Sequence, residues 1–393
     1  MIFMKKKILF VYPEFMVGGS TTSLINLLNE IDYKKYEVDL ALRKKRGLLM
    51  KYIPQEVNLL DCLDPFSDNI FGKISKLFIL LFSKRFYQFL YFKITKKTAN
   101  ANQVSALYQS MLCRKVKKKY DVAIGFLEGF SNAYVNSKKV SANKKVSWIH
   151  VDYAKAGFNI KYDYNTLLKS DVIAFVSETC LDNFAKLSPE LKSKSVVVEN
   201  VNSKKTLEIK SKEFVPEITN LNDSFFKILT VCRIDTNTKG IDRVFNILRK
   251  LINEKYNVQW AIIGGQPDKK FNELYEKFEY KNNLLLLGEK INPFPYYSLF
   301  DVFVLPSRFE GKPMAVGEAL LLNLPVVVTH YSSANEQIKN GYNGIIVEND
   351  EYALYSKLKS LIDNYQLLIN MRANLIKDNK CQNSEIGNFE KII

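Results

Sequence analysis

Short, almost wholly apolar runs alternate with amphipathic stretches along this chain, and that alternation fixes its fold class. Lys7–Pro13, Tyr36–Leu42, Asp121–Leu127, Lys145–Ile149, Val172–Val176 and Ser195–Val198 read as strands of one sheet. Phe226–Cys232, Val258–Ile263, Asn283–Leu287, Asp301–Leu305, Pro325–Thr329 and Gly344–Val347 read as strands of a second. Runs of Val, Ile and Leu without polar alternation are buried on both faces, which a parallel sheet covered by helices provides. Thr21–Glu30, Val104–Lys118 and a last stretch from Glu351 to Ile376 have the helical pattern this arrangement needs. The expectation is an α/β chain of two Rossmann-like, doubly wound parallel-sheet domains, and 393 residues suffice for both. The polar segment Asn202–Glu213 reads as the linker. That gives a first domain over 1–204, a second over 205–375 and a polar tail over 376–393.

Composition narrows the class. Hydrophobic content of 47% and charged content of 25% are those of a globular enzyme. Five cysteines without a CxxC pair and two distant histidines exclude a disulfide framework and a structural zinc, and fit a reducing, cytoplasmic setting. The apolar run after Lys5-Lys6-Lys7 ends within about six residues, so it reads as a first strand and not a secretion leader. The net charge of +16 lies entirely in the first half: residues 1–205 hold 34 Lys and Arg against 18 Asp and Glu, and residues 206–393 hold 23 of each. Much of the excess flanks Gly72–Lys97, which is basic and aromatic, and Arg114–Lys119. The longest apolar piece there, Leu77–Phe82, is too short to span a bilayer. Peripheral contact with an anionic membrane surface and a core helix with a solvated basic face both fit. No nucleic-acid motif accompanies the charge, and nucleic acid is not an expected partner.

The densest chemistry lies in Ser307–Thr329. Glu310 and Glu318 stand with seven residues between them, the first in a loop after a buried strand, the second a turn into a helix for which Pro313 reads as the first position. Ligands of open α/β sheets bind at that edge, and free N–H groups at a helix start favour phosphate. One carboxylate suits sugar hydroxyls and the other ribose hydroxyls. Arg233, just after a strand, and Lys239, just before a helix, reach the same edge and suit a departing diphosphate without metal; no Asp-x-Asp occurs in the chain. Gly18-Gly19 after the first strand allows close backbone approach to phosphate or sugar. His150, at the end of a strand and two positions before Asp152, fits a catalytic as well as a structural role. Glu128-Gly129 is a candidate lining of the acceptor side.

Gly18-Gly19, Trp148-Ile-His-Val-Asp152, Val176-Ser-Glu178, Arg233 with Lys239-Gly240, Gly288 through Asn292-Pro293, and the Glu310/Glu318 pair together resemble the family 4 retaining glycosyltransferases of GT-B fold. The resemblance implies two Rossmann-like domains facing across a cleft, and transfer of a sugar from a nucleoside-diphosphate sugar to a glycan or polyprenyl-linked acceptor in capsule, exopolysaccharide or lipopolysaccharide synthesis. It implies no cofactor and no metal. By the same resemblance Arg233 and Lys239 hold the diphosphate, Glu318 the ribose, Glu310 the transferred sugar, and His150 lies near that sugar. Gly18, Gly19, Gly311, Lys312, Pro313 and Met314 become substrate-binding positions, and Ile291 falls in the segment that takes the base. Two departures stand out: Gly311-Lys-Pro-Met-Ala replaces the common Gly-Phe-Gly-Leu-Pro, and Ser333-Ala-Asn-Glu336 lacks the usual glycines. A nucleotide-sugar epimerase and a non-catalytic membrane-docking scaffold are the competing readings.

Overall fold

The computed structural model describes residues 5–66, 72, 101–378 and 386–393. These fall into two compact units, one within Met1–Met16, Leu24–Glu199 and Ile386–Ile393, the other within Val17–Ser23 and Asn200–Glu385.

The first unit holds a seven-stranded sheet of β1 (Lys6–Tyr12), β2 (Tyr36–Leu42), β3 (Asn58–Leu59), β4 (Lys119–Gly125), β5 (Ser141–Ile149), β6 (Val172–Phe175) and β7 (Ser195–Val197), in the order β3-β2-β1-β4-β5-β6-β7. Every pairing is parallel. The second holds β8 (Phe226–Val231), β9 (Val258–Ile263), β10 (Leu284–Gly288), β11 (Val302–Leu305), β12 (Val326–Thr329) and β13 (Gly344–Val347), in the order β10-β9-β8-β11-β12-β13, again all parallel. In each sheet the order reverses beside the first strand, between β1 and β4 and between β8 and β11. These switch points open the crevice in which such sheets bind ligands. All six residues of β9 are buried, as a strand covered on both faces requires.

Local details depart from the sequence pattern where long-range bonds intervene. The helix expected over Val104–Lys118 spans Ala101–Leu112. Beyond it Arg114 N–H donates to Leu63 O at 2.8 Å and Val116 N–H to Lys139 O at 3.1 Å, so the lysine-rich run is drawn off the helix. Lys118 there pairs with Glu37 at 2.7 Å and with buried Asp39 at 2.9 Å. Residues 73–97 of the basic aromatic stretch lie outside the described residues. Within the segment read as a linker, Lys204–Lys210 is helical, started by Ser203, whose side chain accepts from Thr206 N–H. The stretch from Glu351 divides into helices Glu351–Asp363 and Gln366–Asp378. In the tail, helix Ile386–Glu390 returns to the first unit, where Phe389 is buried against Phe10 and Trp148 at ring distances of 6.1 and 6.4 Å. Among the described residues no helix is long and apolar enough to cross a membrane.

Candidate active site

The loop after β8 is built to present Lys239. Asp235 accepts N–H bonds from Asn237 and Thr238, each at 2.9 Å, and Asp268 accepts from the N–H and hydroxyl of Thr236 at 2.6 and 2.8 Å. Gly240 follows at φ 64°, where an added Cβ would lie 2.2 Å from the Pro306 carbonyl oxygen. Only glycine lets this loop close onto the end of β11. Arg308 clamps the two together: its N–H donates to Thr238 O at 2.8 Å, its guanidinium donates to Thr236 O, and the same group forks onto Asp242 at 2.8 and 3.0 Å.

Lys239 is thereby held against Glu310. Its ammonium donates to both carboxylate oxygens, at 2.6 and 2.9 Å, and Ser307 Oγ adds a third bond to Glu310 at 2.7 Å. Ser307 is itself fixed by Thr329, whose hydroxyl donates to the Ser307 carbonyl at 2.5 Å. Glu310 is buried, as is Ser307. Arg233, just after β8, pairs with Asp235 at 2.8 Å, with its side chain 58% exposed. Burial pushes the Cys232 thiol up to about 12, so this cysteine is no thiolate nucleophile.

The loop from Gly311 to Pro313 is anchored through its carbonyls. Ser333 Oγ donates to Gly311 O, Asn200 Nδ2 to Lys312 O at 3.4 Å and Gln337 Nε2 to Pro313 O at 3.2 Å. Ser333 thus secures this loop although its own segment lacks glycines. Pro313 precedes the helix instead of opening it, because its ψ of 122° is extended; the helix runs from Met314 to Leu321 with no side chain capping its amino terminus. Its first N–H groups are those a phosphate would take. A Cβ on Gly19 would lie 3.6 Å from Met314 Cγ, whereas one on Gly18 would meet nothing within 4 Å. The glycine loop therefore borders this helix start.

Glu318 is buried, 6% exposed, with Tyr297 OH 3.4 Å from Oε2. Burial lifts its carboxyl to about 7, against the opposing effects of Tyr297 and the Lys210 ammonium. Burial lowers Lys210 in turn, opposed by Glu213 and Glu318. Asn292 ties this corner together, donating to Lys210 O and to Glu213 at 2.8 Å each. Ile291, beside it, is 36% exposed. Lys210, Ser307, Arg308 and Tyr297 were given no individual role from the sequence. The one local signal for Lys210 was Ser203, a helix start within the supposed linker.

In the first unit His150 follows β5. Its N–H donates to Glu128 at 2.9 Å, and its ring packs 4.8 Å from Phe126 and 5.9 Å from Trp148, nearly parallel to the latter. Burial raises the Glu128 carboxyl, opposed by the His150 bond. Asp152 is buried and accepts from Asn183 at 3.0 Å, an anchor for its loop.

The chain is similar to known proteins in sequence and in fold. Residues 211–381 match the family of glycosyl transferases group 1. The chain is 31% identical over 150 residues to the capsular polysaccharide biosynthesis glycosyltransferase CapM of Staphylococcus aureus, covering 37% of this chain and only 39% of that protein. It is 25% identical over 376 residues, 93% of this chain and 92% of the relative, to the N-acetylgalactosamine-N,N'-diacetylbacillosaminyl-diphospho-undecaprenol 4-alpha-N-acetylgalactosaminyltransferase of Campylobacter jejuni. In structure it resembles Anabaena HepE in complex with UDP and glucose, with a TM-score of 0.69 at 13% identity over 99% of this chain and 100% of that one. The two Rossmann-like domains are those of the GT-B fold.

Proposed function

We propose that this protein is a retaining glycosyltransferase that moves a sugar from a nucleoside-diphosphate sugar to a glycan on a polyprenyl diphosphate, in cell-surface polysaccharide synthesis at the cytoplasmic membrane face and without metal. The observation that carries the reading is the Lys239–Glu310–Ser307 cluster beside the uncapped helix start at Met314. A cation and free N–H groups suit a diphosphate, and a buried carboxylate one step away suits hydroxyls of the sugar it carries. The relatives above, named for capsular polysaccharide synthesis and for a diphospho-undecaprenol substrate, support the class of acceptor.

In this mechanism the diphosphate lies across the helix start and draws on Lys239 and Arg233. Glu318 takes the ribose and Glu310 the sugar hydroxyls. The acceptor oxygen bonds to the anomeric carbon on the face from which the phosphate oxygen departs, and that oxygen receives the acceptor's proton. Lys239, Arg233 and the helix stabilise the charge that develops. Glu310 positions the ring, and His150 lies near the transferred sugar.

The test is thermal stabilisation by UDP-, GDP-, ADP- and TDP-linked sugars with EDTA present. A shift with one nucleotide family, lost in Glu318→Ala and Arg233→Ala, supports the donor site. No shift with any of them refutes it.

A further inference from the structure

The helix Lys204–Lys210, in a stretch whose sequence reads as a linker, turns one face toward Glu318. Leu207 is buried and belongs to the same apolar cluster as Phe294, Tyr297, Val316 and Ala319. Lys210, three residues on, shares that face, whereas Glu208 and Ile209 between them are exposed. The helix packs against Met314–Leu321, which carries Glu318, and against the short helix Phe294–Leu299, which carries Tyr297. A surface lysine ordinarily carries its ammonium out to water. Here the ammonium lies 6.0 Å from the centre of the Phe294 ring, and Asn292 fixes the backbone beneath it by donating to the Lys210 carbonyl at 2.8 Å.

Burial works against ionisation of Glu318, and Tyr297 and the Lys210 ammonium work for it. Tyr297, 3.4 Å from Oε2, is held neutral by burial and faces Cys232, whose thiol burial also keeps neutral. Glu213 shares Lys210 with Glu318 and is itself engaged by Asn292 at 2.8 Å, while Lys204 and Glu208 on the same helix pair with each other at 3.6 Å. Among the described residues the Lys210 ammonium is therefore the cation that acts on Glu318. An ionised carboxylate accepts on both oxygens, which suits the adjacent 2′ and 3′ hydroxyls of a ribose; a protonated one donates from one of them. We propose that Lys210 is a positioning residue for the donor: it holds Glu318 in the ionised form that accepts both ribose hydroxyls, so that recognition of a ribonucleotide depends on pH near neutrality. This rests on the donor-site reading of Glu318.

The experiment is calorimetric titration of UDP, GDP and ADP, each beside its 2′,3′-dideoxy counterpart, into the full chain from about pH 6 to pH 9. The phosphates of each pair titrate alike, so the ratio of the two affinities isolates the ribose contacts. In the wild type that ratio should rise roughly fivefold or more with pH across this range. Lys210→Met keeps the apolar stem over Phe294 but not the charge. It should lower the ratio roughly fivefold or more near pH 7 and restore it near pH 9, whereas Lys210→Arg should keep the wild-type profile. A Lys210→Met profile that matches the wild type at every pH overturns the inference. So does a ratio lowered equally at both ends of the range, which marks a packing role. A wild type that binds a nucleotide and its dideoxy counterpart equally at every pH takes the ribose away from Glu318 and overturns the inference while the diphosphate site stands. A wild type that binds none of the three nucleotides overturns the donor-site reading and the inference with it.

Discussion

Glu310→Gln should tighten the binding of free nucleoside diphosphate while abolishing most transfer. In the ligand-free protein Lys239 spends its charge on Glu310, at 2.6 and 2.9 Å. A diphosphate that takes the ammonium at ordinary charge-assisted distance sits about 5–6 Å from that carboxylate, with the nitrogen between them. At an effective dielectric near 20 the repulsion per unit charge is about 3 kcal/mol, and screening at a site with the lysine 21% exposed leaves about 1–2 kcal/mol. Glutamine keeps the shape and the Ser307 contact but removes the charge, so nucleotide affinity should rise roughly five- to thirtyfold. Turnover should fall by about 10²–10³, as when one preorganised polar group is lost. Calorimetric titration of the nucleotide identified by the donor panel and chromatography of the transfer product measure the two effects. Weaker nucleotide binding in the variant, with its melting temperature unchanged, would refute the competition between Glu310 and the diphosphate.

Three further outcomes follow from the same geometry. The Glu318 carboxyl, raised by burial to about 7, holds its proton in the folded state over a range where the unfolded chain has lost it, so its contribution to stability is lost as pH rises from about 4.5 to 7. Glu318→Gln should therefore gain up to about 3 kcal/mol relative to the wild type between pH 4.5 and 8 by urea denaturation; a pH-independent difference contradicts this. Gly240→Ala, strained at φ 64° and 2.2 Å from Pro306 O, should cost about 2–4 kcal/mol and raise the donor KM, whereas an unchanged urea midpoint would show that the loop yields. For Asp39, burial works against ionisation, but bonds from Tyr120, Lys118 and Asn58 outweigh it and hold the carboxyl below its usual range, so its stabilisation is present above about pH 4 and lost as pH falls further. Asp39→Asn should cost about 2–4 kcal/mol at pH 7 and flatten the acid limb of the stability curve; equal acid midpoints in the two proteins would remove Asp39 from the account.

The sheets were legible in the sequence because a buried parallel strand is written locally. Tyr36–Leu42, Val258–Ile263 and Gly344–Val347 coincide with the observed strands, since positions buried on both faces are filled mostly by apolar residue types, with Asp39 and Gln259 as hydrogen-bonded exceptions. The two-residue β3 left no such trace. Glu310, Glu318 and Lys239 were legible as candidates for a similar reason: charged residues in the loops and helix starts that follow buried strands stand at the edge where parallel sheets bind ligands. Tertiary structure alone decided how they are partnered. Lys239 meets Glu310 across 71 positions of sequence, Asp39 meets Lys118 across 79, and Arg233 pairs with Asp235 two residues on. The same holds for Lys210, brought beside Glu318 by a helix in what looked like a linker, and for Phe389, drawn from a polar tail into an aromatic stack. Periodicity and composition report which face of an element is buried. They carry no record of which distant side chain will stand opposite, and that pairing sets the charge at this site.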